Sequence, residues 1–282
     1  MKYEAIQQWK DEFPIARLCK VLTVSESGYY AWVQREPSLT AIDNARLSEQ
    51  IETIWRKFRR IYGAPRIWAE LLEMGVKVSL NRVAKLMREA GLQGKTARKY
   101  RPTTTQSDPS HAVAPNLLKR NFDLHRRNQV WLTDITYIET DEGYLYLAGV
   151  MDLGSREIVG MAMADHMRTE LTLDALNMAI VQHQPPAGLM HHSDRGSQYT
   201  SHAYQQRLSD ANMVASMSRT GNCLDNSPME SFWATLKREC ADYIFANHLQ
   251  ARAEIFSYII GFYNRTRRHS ALGYTAPIAQ AA

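Results

Sequence analysis

Between residues 129 and 166 the chain carries three successive stretches rich in β-branched and aromatic residues, QVWLTDITYIET (129–140), GYLYLAGVMDL (143–153) and EIVGMAMADH (157–166). Only short turns separate them, so the spacing predicts a meander of three strands. The texture then alternates. RTELTLDALNMAIVQH (168–183) reads as an amphipathic helix with Leu171, Ala175, Met178 and Ala179 on one face, AGLMHHSD as a fourth strand and SHAYQQRLSDAN as a helix. MVASMS follows as a fifth strand and SPMESFWATLKREC as a closing helix. A meander followed by alternating helices and strands demands a mixed sheet with helices packed on it.

That βββαβαβα order is similar to an RNase H-like core and places the chain in the α+β or α/β class. The residues before it read differently. FPIARLCKVLTVSESGYYAW (13–32) has a helix-turn-helix rhythm, with Ser25 as the N-cap of the second helix. Residues 46–92 then hold three more helices, with Leu47, Ile51, Ile54, Trp55 and Phe58 at helical spacing in the first. Residues 1–127 contain 23 Lys and Arg against 13 Asp and Glu, and residues 56–101 alone contain 13 against 3. A segment so one-signed is an electrostatic footprint for phosphate backbones. In its last helix Arg82, Lys85 and Arg88 form a stripe suited to a major groove. The Gly, Pro, Ser and Thr content beyond it predicts a linker. The expected organisation is a helix-turn-helix-like segment at 1–45, a basic helical DNA-binding domain at 46–100, a linker at 101–124, a catalytic core at 125–245 and a helical extension at 246–282.

Cys19, Cys223 and Cys240 have neither C-x-x-C nor Cys/His metal spacing, which argues against disulfides and structural zinc. No apolar run is long enough for a bilayer and the N-terminus lacks a signal-peptide h-region, so a cytoplasmic protein without membrane partners is expected.

Three carboxylates are candidates for chemistry. Asp134 sits mid-strand in VWLTDITYI, on the face of Val130, Leu132, Thr136 and Ile138, where an uncompensated charge costs several kcal/mol. A cation, a metal or hydrogen bonds to nearby backbone would each relieve it. Asp194, in HHSDRGSQYT, falls where the fourth strand should end; ordinary turn chemistry competes as its explanation. Glu230 in SPME fits a capping box with Ser227 as N-cap and Pro228 first in the helix. A capping box does not account for the set, in which 59 residues separate the two Asp and 35 separate Asp194 from Glu230. Nor does it account for Lys237, two helical turns beyond Glu230 on the same face.

Asp134 in WLTDITYI, Asp194 in HSDRGSQYTS, Glu230 in DNSPMESFWATLK with a basic residue seven later, and YNRTRRHSALGYTAP (263–277) together resemble the DDE transposases and retroviral integrases. The boxes look like those of the downstream-frame product of two-frame bacterial insertion sequences. The resemblance implies Asp134, Asp194 and Glu230 as catalytic ligands of two Mg²⁺ ions, replaceable by Mn²⁺. It implies 3′-end nicking and strand transfer, first within the element to give a circle. His192 would support the site, and Arg195, Lys237 and Arg268, with Arg82, Lys85 and Arg88, would contact DNA. Partners would be the element's terminal inverted repeats, target DNA, further copies of the chain and an upstream-frame protein, at the bacterial nucleoid. An RNase H-like nuclease or resolvase without strand joining shares the fold and metals, and a DNA-binding regulator would explain the basic half alone.

Overall fold

The expected meander forms as β1 (Val130–Thr140), β2 (Gly143–Asp152) and β3 (Ile158–Ala164) in a computed structural model that describes residues 1–95, 113–122, 126–219 and 223–281. β1 and β2 are antiparallel from Trp131 opposite Asp152 to Thr140 opposite Gly143. Asp152, fully buried, closes the β2–β3 turn by accepting the Asn128 N–H and both the backbone and hydroxyl donors of Ser155. β4 (Met190–Ser193) joins the other side of β1 in parallel, and β5 (Val214–Met217) pairs in parallel with β4. The sheet order is β3-β2-β1-β4-β5, so the first strand is central.

Strand alternation sends β1 side chains into two cores. Val130, Leu132 and Ile138 belong to one cluster with Phe232, Trp233 and Leu236 of α10 (Ser227–Glu239). Trp131 belongs to the other, with Leu171, Ala175 and Ala179 of α7 (Thr169–His183) and with Tyr204 and Leu208 of α9 (His202–Asp210). Between β4 and α9 lies one short helix, α8 (Ser197–Thr200).

Among the described residues, six helices precede the sheet. α1 (Lys2–Trp9), α2 (Ile15–Val21) and α3 (Glu26–Val33) surround a small core of Ile6, Cys19 and Tyr29, with Ser25 Oγ accepting the Gly28 N–H as the sequence predicts. α1 was not among the expected elements. α4 (Leu39–Lys57), α5 (Ala64–Glu73) and α6 (Leu80–Glu89) form a second unit. The boundary expected at residues 45 and 46 falls inside α4, because Ser38 caps that helix by accepting the Ala41 N–H.

Residues 101–112 and 123–124 of the expected linker lie outside the described residues. Residues 113–122 are packed: Leu118 is buried, Pro115 O accepts the Met217 N–H, and Ser216 Oγ accepts the Leu117 N–H. The expected C-terminal extension also belongs to the core. α11 (His248–Phe256) runs into a π-helical segment, Ser257–Tyr263, whose Tyr258, Ile259 and Phe262 share the cluster that contains α10. Asn264 bonds both backbone groups of Ile158 on β3.

Candidate active site

Asp134 leaves β1 on the face covered by α10. Opposite it on β2 stands Gly149, where a Cβ would meet the Trp233 ring at 2.8 Å. Only a residue without a side chain lets the indole lie against the sheet there. Trp233 Nε1 consequently donates to Asp134 Oδ2 at 3.0 Å. Asp194 arrives from the neighbouring strand. β1 and β4 pair Val130 with Met190, Trp131 with His191 and Leu132 with His192, and the same register carried two residues further sets Asp134 beside Asp194. Asp194 Oδ1 accepts the Gly196 N–H at 2.9 Å, so the turn after β4 holds this carboxylate from below.

Glu230 lies in the first turn of α10. The capping-box alternative needs Ser227 at the N-cap, but the helix begins at Ser227 and its N-cap, Asn226, makes no side-chain capping bond. Asn226 instead donates Nδ2 to Thr133 O at 2.9 Å, one residue before Asp134. A β1 carbonyl and a β1 carboxylate are therefore both tied to α10.

The electrostatics follow. Burial pushes the Asp134 carboxyl well above the usual range, the Asp194 charge adds to it, the Ile135 backbone N–H and Trp233 oppose it, and the Glu230 charge raises it further. Among the described residues, no three His, Cys, Asp or Glu side chains stand so as to hold one ion together. The three acids share a neighbourhood, and any ion between them would be completed by ligands from elsewhere.

His192 is fully buried, with Nδ1 2.9 Å from Ser216 Oγ and Nε2 3.1 Å from Ser218 Oγ. Burial lowers its pKa to about 4, so at neutral pH it is an uncharged spacer between β4 and β5. Arg195 donates Nε to Ser218 O at 2.7 Å. Lys237 lies 4.3 Å above the Tyr137 ring and is half-buried, and burial lowers its pKa against the pull of Glu139.

With this geometry in place, the comparisons with known proteins are specific. Models of the Integrase core domain match residues 125–223 and 212–277, and an HTH-like domain model matches residues 42–100. An uncharacterized 31 kDa protein of insertion element IS600 from Shigella sonnei is 48% identical over 263 residues, covering 93% of this chain and 96% of that one. Transposase InsF for insertion sequence IS3A from Escherichia coli strain K12 is 39% identical over 281 residues, 98% of this chain and 97% of that one. The chain belongs to the insertion-sequence transposases. Its enzyme class cleaves DNA and transfers strands. Among solved structures, the HTLV-2 integrase catalytic core domain in complex with magnesium aligns with 53% of this chain and 93% of that chain, at 16% identity and a TM-score of 0.43.

The HTH-like match falls on α4–α6 of the transposase, whereas the helix-turn-helix rhythm of the sequence lies at 13–32, on α2 and α3. The basic residues are placed unequally. Lys85 and Arg88 are exposed on α6, with Lys85 3.7 Å from Glu89. Arg82 is tied inward to α4, donating to Asp43 at 2.6 Å and to Asn44. Arg268 is likewise committed within the protein, to Glu70 and Glu73 of α5 and to Tyr274 O at 2.7 Å. Two residues of the site escaped the sequence reading although each left a signal: Gly149, a lone glycine inside the apolar strand YLYLAGVM, and Trp233, three residues after Glu230 on the same helix face. No helix among the described residues is long and apolar enough to cross a membrane.

Proposed function

We propose that Asp134, Asp194 and Glu230 are the catalytic carboxylates of this transposase and that they bind divalent cations beside the scissile phosphate. The observation that supports the reading is placement: the β1–β4 register carries Asp134 and Asp194 side by side, and Trp233, one turn beyond Glu230 on α10, donates to Asp134, so acids from three separate stretches of chain share one neighbourhood. The donor set fits hard cations, and magnesium is commonly held by one or two carboxylates with waters and substrate phosphates filling the remaining positions, so no three-acid cage is required. Two such ions would clamp the attacking and leaving oxygens of an in-line phosphoryl displacement.

The chain's own residues orient the acids. Trp233 fixes one Asp134 oxygen, the Gly196 N–H fixes one Asp194 oxygen, and Asn226 sets the start of α10 against β1. Lys237, two turns beyond Glu230, stands about 10 Å along the helix axis, a distance suited to a neighbouring phosphate. Lys85 and Arg88 on α6 contact the terminal inverted repeat, with Arg195 nearer the cleavage site. The chain acts on both ends of its element and on target DNA as a homo-oligomer, together with an upstream-frame protein, in the bacterial cytoplasm.

The test is a joining assay on duplex DNA from the ends of the encoding element, with Mg²⁺ or Mn²⁺ and in the presence of the upstream-frame protein. A joined strand or circle is expected. Nicks or cuts with no joined product would make the site that of a nuclease.

A further inference from the structure

The box that holds Glu230 holds another acid, in surroundings of the opposite kind. Asp225, in the 3-10 turn Cys223–Asn226, is fully buried and receives five hydrogen bonds from described residues. Its Oδ1 accepts Arg120 Nε at 2.8 Å and an Arg219 terminal N–H at 2.9 Å. Its Oδ2 accepts Asn116 Nδ2 at 2.9 Å, the Arg219 backbone N–H at 3.0 Å and Arg219 Nε at 3.1 Å. The Arg219 bonds, reinforced by Arg120, outweigh burial and hold the carboxyl far below the usual range.

The donors come from two stretches of chain. Arg219 lies just past β5, while Asn116 and Arg120 belong to the segment that enters the core from the basic half and is seated along β5. The residue after Asp225 is Asn226, whose Nδ2 holds Thr133 O, and Glu230 follows one helical turn later. For stability alone a buried charged cluster is a poor device, because desolvation offsets most of its attraction. Its distinctive property is geometric: charge-assisted bonds are short and directional, and shifting the turn breaks several together.

We propose that Asp225 is a positioning residue for strand transfer, holding the first turn of α10, and hence Glu230, against β1 and coupling that placement to the entering segment through Asn116 and Arg120. The proposal rests on the reading of Glu230 as a catalytic ligand. In this role Asp225, buried and bonded within the chain, acts through the turn that carries Glu230.

The experiment uses the full chain with Asp225→Asn, Arg120→Gln and, beside them, Glu230→Gln. Three quantities are measured: kcat and KM for joining of an element-end duplex in Mg²⁺, amide hydrogen exchange without metal or DNA, and melting temperature. Asp225→Asn should lower kcat by about 100-fold, the cost of roughly an ångström of misplacement, with KM changed less than about twofold. Arg120→Gln, which removes one donor of five, should lower kcat by about tenfold with little change in melting temperature. In both variants exchange should accelerate over residues 226–233 and stay parental in β1. Parental kcat in folded Asp225→Asn and Arg120→Gln would overturn the proposal, as would a loss of activity matched by faster exchange throughout the core. If Asp225→Asn does not fold, Arg120→Gln decides by the same criteria, since Arg120 is partly exposed. Full activity in Glu230→Gln would remove the underlying reading of the site; an inactive Glu230→Gln beside parental kcat in the other two would remove this inference alone.

Discussion

The two ends of α10 place glutamates in opposite company. At the C-terminal end Glu239 is buried, and although burial alone would raise its pKa, bonds from Arg267 Nε at 2.7 Å and a terminal N–H at 2.6 Å, with the Tyr258 hydroxyl at 2.7 Å, bring it below the usual range. At the N-terminal end Glu230 faces Asp134, which is raised by burial and by neighbouring acids and bonded by an indole and a backbone N–H. One end thus sets a buried acid against an arginine, and the other sets an acid beside acids. Gathering acids in this way is destabilising, and carboxyls whose titration is shifted by burial and by like charge mark candidate functional sites.

The sharpest way to break this contrast is exchange of charge for amide at both ends. Asp134→Asn, Asp194→Asn and Glu230→Gln should each lower strand joining by at least about a thousandfold in a gel assay, while the protein stays folded. Glu239→Gln should do the reverse, costing about 3–5 kcal/mol in a urea titration by stranding buried Arg267, while activity per folded molecule survives. An unstable Glu230→Gln beside a stable Glu239→Gln would invert the comparison.

A second effect is visible in pH. Asp134 has its folded pKa raised, so its stabilising contribution is complete below the unfolded value of about 4 and is lost as pH climbs towards the folded value. Glu239 and Asp225 have lowered folded pKa values, so their contribution is complete above about 4 and is lost as pH falls below it. The melting temperature of Asp134→Asn should therefore match the parent below about pH 4 and exceed it at neutral pH. Millimolar Mg²⁺ should raise the parent at neutral pH and leave an Asp134→Asn, Asp194→Asn double variant unmoved. A constant difference between the Asp134→Asn and parent curves from pH 3 to pH 8 would show that the acids do not repel one another.

The smallest effect concerns Lys237. Lys237→Ala should weaken binding of element-end DNA a few-fold and reduce the salt slope by about one, measured in Ca²⁺. Because its ammonium lies over Tyr137, the change should also cost about 0.5–1 kcal/mol of stability, which an exposed lysine would not. Parallel salt slopes with equal affinities would reduce Lys237 to packing.

Much of this architecture was legible in advance because it rests on local periodicity. All five strands and the helices α7, α9 and α10 were recognisable from alternation and amphipathic spacing, though the short α8 was not, and pairing the first strand with the fourth was enough to bring Asp134 towards Asp194. What local pattern did not reveal were the partners that charged side chains find across the fold. The basic stripe of α6 does not present three equivalent side chains, since Arg82 faces acceptors on α4, which are far away in sequence. The resemblance implies a DNA contact at Arg268, and in the fold that side chain joins α5 to the C-terminal motif. The extension after residue 245 reads as an appendage because its contacts, Glu239 with Arg267 and Ile158 with Asn264, span many residues.

The amino-acid sequence by itself determined most of the order of elements and the helical and sheet regions, because these depend on neighbours within a few positions, while the three acids stood out by their boxes and their spacing along the chain. Only the tertiary structure decided which charges are spent inside the protein. Arg267, Arg120 and Arg219 are indistinguishable in sequence from arginines that could meet DNA, but folding gives them Glu239 and Asp225 as partners. Burial and the distance to an opposite charge set the energy of an ionised side chain, and both are properties of the packed chain.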